Sequence, residues 1–507
     1  MPKLPDEFRE KLMQTIEDLR EDIVRDTAQI LKYETISGGK SDEEKEKFNK
    51  EINRCHEFLK NLVEPYGMTY REIDGVVSVL EMPGESEEKG LGIPLHIDVM
   101  PVTGDWKYPP FSGTVAEDII WGRGAQDDKG PLIASIYGII ALKKLGAKFL
   151  RPIHIVMGRG EEVGHWGDVQ YFIEKEGAPA FSFTPDAEFP IICGEKGIMY
   201  LKINGSWDEA SSGESPVRFA AYKGGTRPNA VPDLAEIMVV PAGDQGAAEN
   251  YLKKAVEEYK SQNSEAQISG PEFCGECDEC PACFKITFKG ESAHGSFPYE
   301  GHNAILDSLD FLARQDFPSK QIRDFCSFIH KSGSGFYGEN LDIATEHHFV
   351  GKTTVNLGVL NMDEKGGQAV FNIRPTLGYT CKEIAERVSK IVNAESERTG
   401  TEISVNQTKE WGKEPLYVDP EENAFFIESL QEAYEKATGR EPELTAIGGT
   451  TFAKAYPNCV SFGPVDEHEE KSLAHMTNEH VKVDHQMRNA RIYGHAIALL
   501  TTDAIEK

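Results

Sequence analysis

The sequence has few basic residues relative to its acidic residues. It contains 54 lysines and arginines against 84 aspartates and glutamates, which gives a formal net charge of -30 at pH 7. A surface with this balance repels phosphate backbones and anionic lipid headgroups. We therefore expect neither a nucleic acid nor a membrane as a partner.

Long apolar segments are also missing. The first ten residues, M-P-K-L-P-D-E-F-R-E, contain no apolar signal core. No uninterrupted apolar run approaches the roughly 20 residues that a membrane-spanning helix needs. The cysteine count of nine is odd, whereas disulfide frameworks use even numbers. These absences predict a reducing compartment without structural disulfides, and we expect the protein in the cytoplasm.

What is present indicates a globular protein of at least two domains, because 507 residues are too many for one core. Predicted strands and helices alternate along the chain, and the sequence pattern of residues 199 to 410 differs from the pattern on either side. The pattern predicts an α/β catalytic domain, formed by 1–198 and 411–507, with a mainly parallel sheet flanked by helices. An α+β lid domain, 199–410, is inserted into it. Apolar spacing over residues 5 to 33 predicts one amphipathic helix at the start.

Three apolar runs in the first domain predict buried strands, at 92–99, 152–157 and 181–184. Acidic residues or histidine lie at the C-terminal end of each run or shortly after it. These residues are His96 and Asp98, Glu161 and Glu162, and Asp186. In an α/β sheet such strand ends form the ligand site. Each motif alone is typical of a solvated loop or a buried histidine, but their repetition favours a metal site.

The stretch W-G-R-G-A-Q-D-D-K-G-P, residues 121–131, lies between the first strand and a helical run, and Asp127 is its centre. A carboxylate has two oxygens and can bridge two metal ions about 3.5–4 Å apart, a common hydrolase device. A further ligand is expected from A-H-M-T-N-E-H, which supplies His475 after another strand-like run, 459–462. We therefore interpret Asp127 as the hub of a two-metal centre.

The adjacent pair Glu161 and Glu162 can divide its work, since one carboxylate can bind metal while the other takes a proton from water. His96 and Asp98 lie two apart on a strand and face the same side. A carboxylate often holds the second nitrogen of a histidine that binds metal.

Seven motifs in order resemble the M20 metallopeptidase family, and within it the PepV-type dipeptidases. They are L-H-I-D-V, G-R-G-A-Q-D-D-K-G-P, G-E-E-V-G, T-P-D-A-E-F-P with I-C-G-E-K-G-I, G-E-S-A-H-G-S, F-N-I-R-P and A-H-M-T-N-E. They extend over nearly the whole chain. The resemblance implies a peptide hydrolase with two divalent metal ions. We expect zinc, and manganese or cobalt would also suit mixed carboxylate and imidazole ligands.

The resemblance also implies a role for each residue of the centre. Asp127 bridges the ions, His96 and Asp186 complete one metal site, and Glu162 and His475 complete the other. Glu161 is the general base, and Asp98 orients His96.

In the lid, the resemblance implies that His294 and Asn229 polarise the scissile carbonyl and hold the oxyanion. Arg374, in F-N-I-R, would bind the substrate's C-terminal carboxylate with its guanidinium fork. Lys454 follows G-G-T-T-F-A, where the family commonly has arginine, so the expected substrate contact loses its bidentate geometry. Arg159, in G-R-G before the acid pair, is a further departure from the family pattern.

The largest departure is F-C-G-E-C-D-E-C-P-A-C-F in the lid. Four cysteines at intervals of three residues have the spacing of a zinc site or an iron–sulfur cluster. They are Cys274, Cys277, Cys280 and Cys283. Reduced thiols on a hairpin are the alternative, and the residues alone leave both open.

Three functions are compatible with these motifs. The first is metal-dependent hydrolysis of small peptides, namely dipeptides. The second is hydrolysis of N-acyl-amino acids or acyl-diamino acids by the same centre. The third is a metal- or redox-responsive binding protein, against which Glu161 argues, since a binding module needs no base beside its metals. A lid of about 200 residues resembles that of monomeric members, which favours a monomer over a dimer.

Overall fold

The computed structural model describes residues 2–86, 89–211, 215–276, 281–406 and 412–504. The chain forms two compact units. Unit 1 comprises Met1–Gly194 and Leu416–Lys507, and unit 2 comprises Glu195–Pro415. The predicted lid, 199–410, lies within unit 2.

The helices of unit 1 come from both ends of the chain, and those of unit 2 from its middle. In chain order they are α1 Asp6–Asp18, α2 Arg20–Ile30, α3 Asp42–Val63, α4 Lys129–Lys144, α5 Gly167–Glu176, α6 Gln245–Gln262, α7 Ala304–Arg314, α8 Lys320–Gly333, α9 Cys381–Thr399, α10 Ala424–Thr438 and α11 Val483–Thr501.

The strands divide in the same way. Those before the lid are β1 Thr69–Ile73, β2 Val77–Met82, β3 Leu91–His96, β4 Thr114–Ala116, β5 Ile119–Trp121, β6 Ile153–Gly158, β7 Phe181–Thr184, β8 Ala187–Glu188 and β9 Ile191–Glu195. Those of unit 2 are β10 Ile198–Ser206, β11 Val217–Gly224, β12 Leu234–Pro241, β13 Gln267–Glu276, β14 Pro281–Lys289, β15 Glu346–His347, β16 Gly351–Lys352, β17 Thr354–Met362, β18 Gly366–Arg374, β19 Glu402–Val405 and β20 Gly412–Lys413. Those after it are β21 Leu416–Tyr417, β22 Leu444–Ile447, β23 Cys459–Ser461, β24 Pro464–Val465 and β25 His480–Lys482.

The prediction of a single helix over residues 5 to 33 is wrong. Helix α1 ends at Asp18 and α2 begins at Arg20, with Leu19 between them at φ -94° and ψ 5°. Leu19 is itself buried, as are Ile16 before it and Ile23 after it. The apolar spacing therefore continues across the break between α1 and α2, so periodicity alone could not reveal the break.

The main sheet of unit 1 has the strand order β1-β2-β6-β3-β7-β23-β9-β21. Its central strands β6, β3, β7 and β23 run parallel to one another. Antiparallel pairs β1–β2, β2–β6 and β23–β9 flank them. Every residue of β3 is buried, as expected for a parallel strand with helices on both faces of its sheet. The predicted α/β class is confirmed, with antiparallel edges.

Helices α4 and α11 pack against each other in the core of unit 1. A Cβ atom on Gly138 of α4 would lie 2.8 Å from the backbone of Gly494 in α11, so the crossing requires glycine. Both helices are buried over most of their length. This packing fixes the start of α4, which comes directly after Asp127 and Asp128.

In the main sheet of unit 2, neighbouring strands pair antiparallel in the order β13-β14-β12-β11-β17-β18-β10-β19. One face packs on the core that includes helices α6 to α9. Strand β12 shows the alternation, because Ile237 and Val239 belong to that core. Met238, between them, packs with Ala220 and Cys283 in a separate small cluster. Helices on one face of the sheet agree with the predicted α+β lid.

Among the described helices, none combines the length and the apolar content that crossing a membrane requires.

Candidate metal centre

The predicted ligands of unit 1 converge at one edge of its sheet. His96 is the last residue of β3, the acid pair follows β6, and Asp186 follows β7. Parallel strands deliver their carboxyl ends to the same edge, which explains the convergence. His475 reaches this edge from the segment between β24 and β25.

Asp127 lies between the two histidines. Its Oδ1 is 2.8 Å from His96 Nε2, and its Oδ2 is 3.2 Å from His475 Nε2. Gly124, in the preceding loop, has φ +91°, a conformation that glycine adopts without strain. One carboxylate thus presents a different oxygen to each imidazole, as a bridging ligand requires.

The remaining acids complete two groups of candidate ligands. Oε2 of Glu162 lies 2.8 Å from His475 Nε2, and Oδ1 of Asp186 lies 3.7 Å from His96 Nε2. In the described part of the chain, the potential ligand atoms of two trios lie within 4.8 Å of one another: His96, Asp127 and Glu162, and His96, Glu161 and Asp186. Glu161, the predicted base, therefore lies as close to the centre as its neighbour.

The electrostatics of this cluster suit cations. Burial, followed by the charge of Asp186, raises the pKa of Glu161 well above its ordinary value. Burial also raises the pKa of Asp186 to about 6, against the opposing effect of His96. Within the described ranges, the cluster's carboxylates form ion pairs with histidines and with no lysine or arginine. Buried carboxylates that crowd one another need a compensating positive charge.

His96 provides a second indication. It is fully buried, and its Nε2 makes no hydrogen bond of acceptable geometry although Asp127 is close. Buried polar nitrogens are almost always satisfied, so an unsatisfied imidazole nitrogen facing carboxylates indicates a missing partner. Imidazole and carboxylate donors together fit zinc, manganese or cobalt.

His475 is held in an uncommon conformation. Its φ of +64° lies in the left-handed region, which residues other than glycine seldom adopt and which recurs at functional sites. Its side chain is 53% exposed. Hydrogen bonds to Asp127 and Glu162 raise its pKa to about 10, so the carboxylates here attract positive charge.

Glu479 holds the loop that precedes α4 and contains Asp127, which we call the hub loop. The sequence did not predict this role. Its Oε1 accepts hydrogen bonds from the backbone N–H groups of Gly124, Gln126 and Asp127, at 3.1, 2.9 and 3.2 Å. Burial and the charge of Asp127 raise the pKa of Glu479 to about 7. It stands four residues after His475, but nothing in the sequence shows that it contacts residues some 350 positions earlier.

Arg123 completes this arrangement. Its Nη1 donates to Glu479 Oε2 at 2.7 Å, and its Nη2 donates to the backbone oxygen of His475 at 3.3 Å. Both partners in the Arg123–Glu479 pair are buried. The pair therefore ties the loop of Asp127 to the segment of His475.

Asp98 contacts both His96 and the acid pair. His96 Nδ1 lies 2.9 Å from the backbone oxygen of Asp98 and 3.6 Å from its Oδ1. The Asp98 carboxylate accepts the backbone N–H groups of Glu161 and Glu162, each at 3.3 Å. Its contacts thus position the acid pair as well as the histidine ring.

A cavity of about 230 Å³ opens over the centre within unit 1. Its walls include Asp127, Glu161 and His475, together with the backbone of Gly449. Lys454, in the 3-10 turn Phe452–Ala455, donates from Nζ to the Gly449 oxygen at 3.3 Å. Lys454 thus supports this wall, and its contact with substrate stays a prediction.

The predicted lid residues are neighbours within unit 2. Asn229 and His294 lie on adjoining segments, because the Gly295 N–H donates to the Asn229 oxygen at 2.8 Å. Arg374 is 4% exposed, and its Nε donates to Asn372 Oδ1 at 3.1 Å. Burial and the charge of Arg374 lower the pKa of His294. The lid therefore brings together two potential donors and one guanidinium.

The cysteine run begins on β13 and ends on β14. Cys274 lies on β13, and Cys283 lies on β14 opposite Gly275. Both pack on the cluster of Ala220 and Met238, Cys283 as a buried member. Cys277 and Cys280 lie outside the described residues. The metal and thiol alternatives both stay predictions.

The sequence of this chain matches a known protein family and several of its relatives. The sequence model of peptidase family M20/M25/M40 matches residues 92–499. A provisionally named dipeptidase of Staphylococcus epidermidis is 30% identical over 449 residues, which cover 88% of this chain and 90% of the relative. A similarly named protein of Bacillus subtilis, YtjP, is 28% identical over 94% of this chain and 97% of its own length.

Solved structures share the fold. Human carnosine dipeptidase 1 aligns with a TM-score of 0.57 at 14% identity, over 98% of this chain and 99% of the human one. An aminoacylhistidine dipeptidase from Vibrio alginolyticus aligns with a TM-score of 0.55 at 14% identity, over 94% of this chain and 96% of that one. The family match extends from the strand that ends in His96 to the last helix, and the chain therefore belongs to peptidase family M20/M25/M40.

Proposed function

We propose that this protein is a dipeptidase that uses two divalent metal ions and Glu161 as its general base. The observation that carries the proposal is Asp127, whose two oxygens face imidazoles from positions 96 and 475. The naming of the bacterial relatives as dipeptidases supports the substrate class. The donor set favours zinc, with manganese or cobalt as alternatives.

The ions, when bound, would polarise the substrate carbonyl and lower the pKa of a water molecule. His96 and Asp186 would hold one ion, Glu162 and His475 the other, and Asp127 both. Glu161 takes the proton of the attacking water and delivers it to the leaving amine.

The lid residues would bind the substrate. Asn229 and His294 would donate hydrogen bonds to the oxygen on which negative charge develops. Arg374 would bind the C-terminal carboxylate of the dipeptide through its guanidinium fork. Its burial in the lid strengthens such an ion pair, since water screens it less.

The test is the Glu161→Ala variant, assayed for dipeptide hydrolysis and for bound metal. We expect turnover to fall by at least about a thousandfold, since general catalysis of both proton transfers is lost. Metal content should stay at the parent value. Glu174→Ala, an exposed glutamate on α5, is the matched control and should retain parental turnover. Hydrolysis by Glu161→Ala at the parental rate would refute the proposed base.

A substrate panel separates the remaining alternatives. Dipeptides, N-acyl-amino acids and acyl-diamino acids are incubated with the metal-loaded protein, and the products are separated by liquid chromatography. We expect dipeptides to be the preferred substrates. Preference for acyl-amino acids would assign the amidohydrolase function instead. Full metal loading without hydrolysis of any compound would favour a binding protein.

A further inference from the structure

A second cavity lies beside the loop that carries the acid pair. It is within unit 1 and is separate from the cavity over the metal centre. Its volume is about 520 Å³, and its lining includes Ser37, Lys45, Arg159, His165 and Asp168. None of the predicted metal ligands lines it. Arg159 belongs to this region, in the segment G-R-G that precedes the acid pair and departs from the family pattern.

The charged groups of the cavity leave an excess of positive charge. Arg159 Nη2 donates to the backbone oxygen of Gly75 at 3.0 Å, and across the described ranges no carboxylate forms an ion pair with its guanidinium. Asp168 is the acidic group of the lining, and its two oxygens already accept the N–H groups of Arg159 and Val169, each at 2.8 Å. Its carboxylate is thus engaged by the backbone.

Lys45 adds a second cation. Its nearest carboxylate is Asp42, at 3.9 Å, and both side chains are largely exposed. Such surface pairs contribute little and exchange partners readily. Glu44 lies at the start of the same helix, but its Oε2 accepts the N–H groups of Lys40 and Ser41 in a capping box. The helix terminus is therefore already occupied and is not the binding group here.

Ser37 provides an independent indication of a ligand. The residue is 7% exposed, and its hydroxyl oxygen makes no hydrogen bond. Its backbone is fixed, because its N–H donates to the Val99 oxygen at 3.2 Å. A buried hydroxyl without a partner is uncommon and costs stability unless something binds it. Ser37 lines the same cavity as Arg159.

Apolar side chains form the rest of the wall. Phe48, Val76 and Val163 line the cavity, and Val163 is 52% exposed. We propose that this cavity binds a small organic anion, with its carboxylate or phosphate head on Arg159, Lys45 and the Ser37 hydroxyl. Its short apolar body packs on the three apolar side chains.

An occupant would contact the loop that positions the active centre. Arg159, Gly160 and Val163 line the cavity, and Glu161 and Glu162 lie between them in the chain. Binding therefore couples to the acid pair, and an effect on turnover is expected. That second effect rests on the proposed function, whereas binding itself does not.

The test measures binding without any substrate. The metal-loaded, full-length protein is titrated with 3-methylbutanoate, a carboxylate with an apolar body, and separately with inorganic phosphate, by isothermal titration calorimetry. We expect one 3-methylbutanoate per chain and a Kd about tenfold weaker in Arg159→Gln, because a charge-assisted hydrogen bond is lost. Saturation by phosphate with the same sensitivity would assign the head group as phosphate rather than carboxylate.

Two further variants keep the test decisive. Lys45→Gln changes an exposed side chain, so it folds normally, and it should weaken binding about threefold. Lys60→Gln, near the other end of the same helix, is the matched control and should bind as the parent does. Anions that bind the metal ions instead would bind all four proteins equally. Equal affinity in all of them, or no saturable binding, would overturn the proposal.

Discussion

The two units concentrate opposite charge at their functional residues. In unit 1, Asp127, Glu161 and Asp186 crowd around buried His96. In unit 2, burial lowers the pKa of Arg374, and burial together with the charge of Arg374 lowers the pKa of Lys196. The crowded carboxylates of unit 1 are costly for the fold until a cation binds. The proposed function accordingly assigns the cations to unit 1 and the substrate carboxylate to unit 2.

Metal removal should show this difference most strongly. Treatment with a chelator should destabilise unit 1 by about 4 kcal/mol, if free metal in the holoprotein is about a thousand times Kd. Hydrogen exchange should accelerate in β3 and β6, whose ends carry the ligands. Strands β12 and β14 of unit 2 should exchange as before. Equal acceleration in both units would contradict a centre confined to unit 1.

Glu479→Gln tests the support of the hub loop. The amide keeps one acceptor oxygen but loses the charge that pairs with Arg123. We expect metal affinity to fall about 10- to 100-fold, as for other groups that orient metal ligands. Competition with a chromogenic chelator measures it.

Glu467→Gln, an exposed glutamate twelve residues earlier, is the control and should bind metal as the parent does. Unchanged metal affinity in Glu479→Gln would show that the packing of α4 alone holds the loop.

Arg374→Lys addresses unit 2. Lysine keeps the charge but not the fork, so KM for a dipeptide should rise about tenfold, which is about 1.4 kcal/mol. Metal content should not change. A dipeptide with a C-terminal amide has no carboxylate to bind, so the substitution should alter its KM much less. An equal rise for both substrates would remove Arg374 from carboxylate binding.

Local patterns predicted much of the framework. The predicted strand 181–184 matches β7. The convergence of the candidate ligands at the strand ends was predictable because parallel strands deliver their carboxyl ends to one edge. Strands β11 and β12 and helix α8 were not predicted, since their mixed patterns depend on packing within the lid.

Long-range contacts were the other limit. His475 was a candidate from its residue type, but its assignment to one metal site came from the resemblance, because no local rule joins it to Asp127, 348 positions earlier in the chain. Glu479 escaped notice for the same reason, since an acid in a polar segment is normally solvated. The break at Leu19 was hidden by apolar spacing that continued across it.

The cysteine hairpin allows the smallest and most local comparison. Cys283 is fully buried in an apolar cluster, whereas Cys274 packs at its edge. Cys283→Ser should lower the free energy of unfolding by about 1–2 kcal/mol, because a hydroxyl replaces a buried thiol. Cys274→Ser should change it by less than about 0.5 kcal/mol. Urea unfolding measures both, and zinc and iron are counted in the same samples. Loss of a metal equivalent from Cys274→Ser, with dipeptide turnover intact, would instead show that the hairpin thiols bind metal.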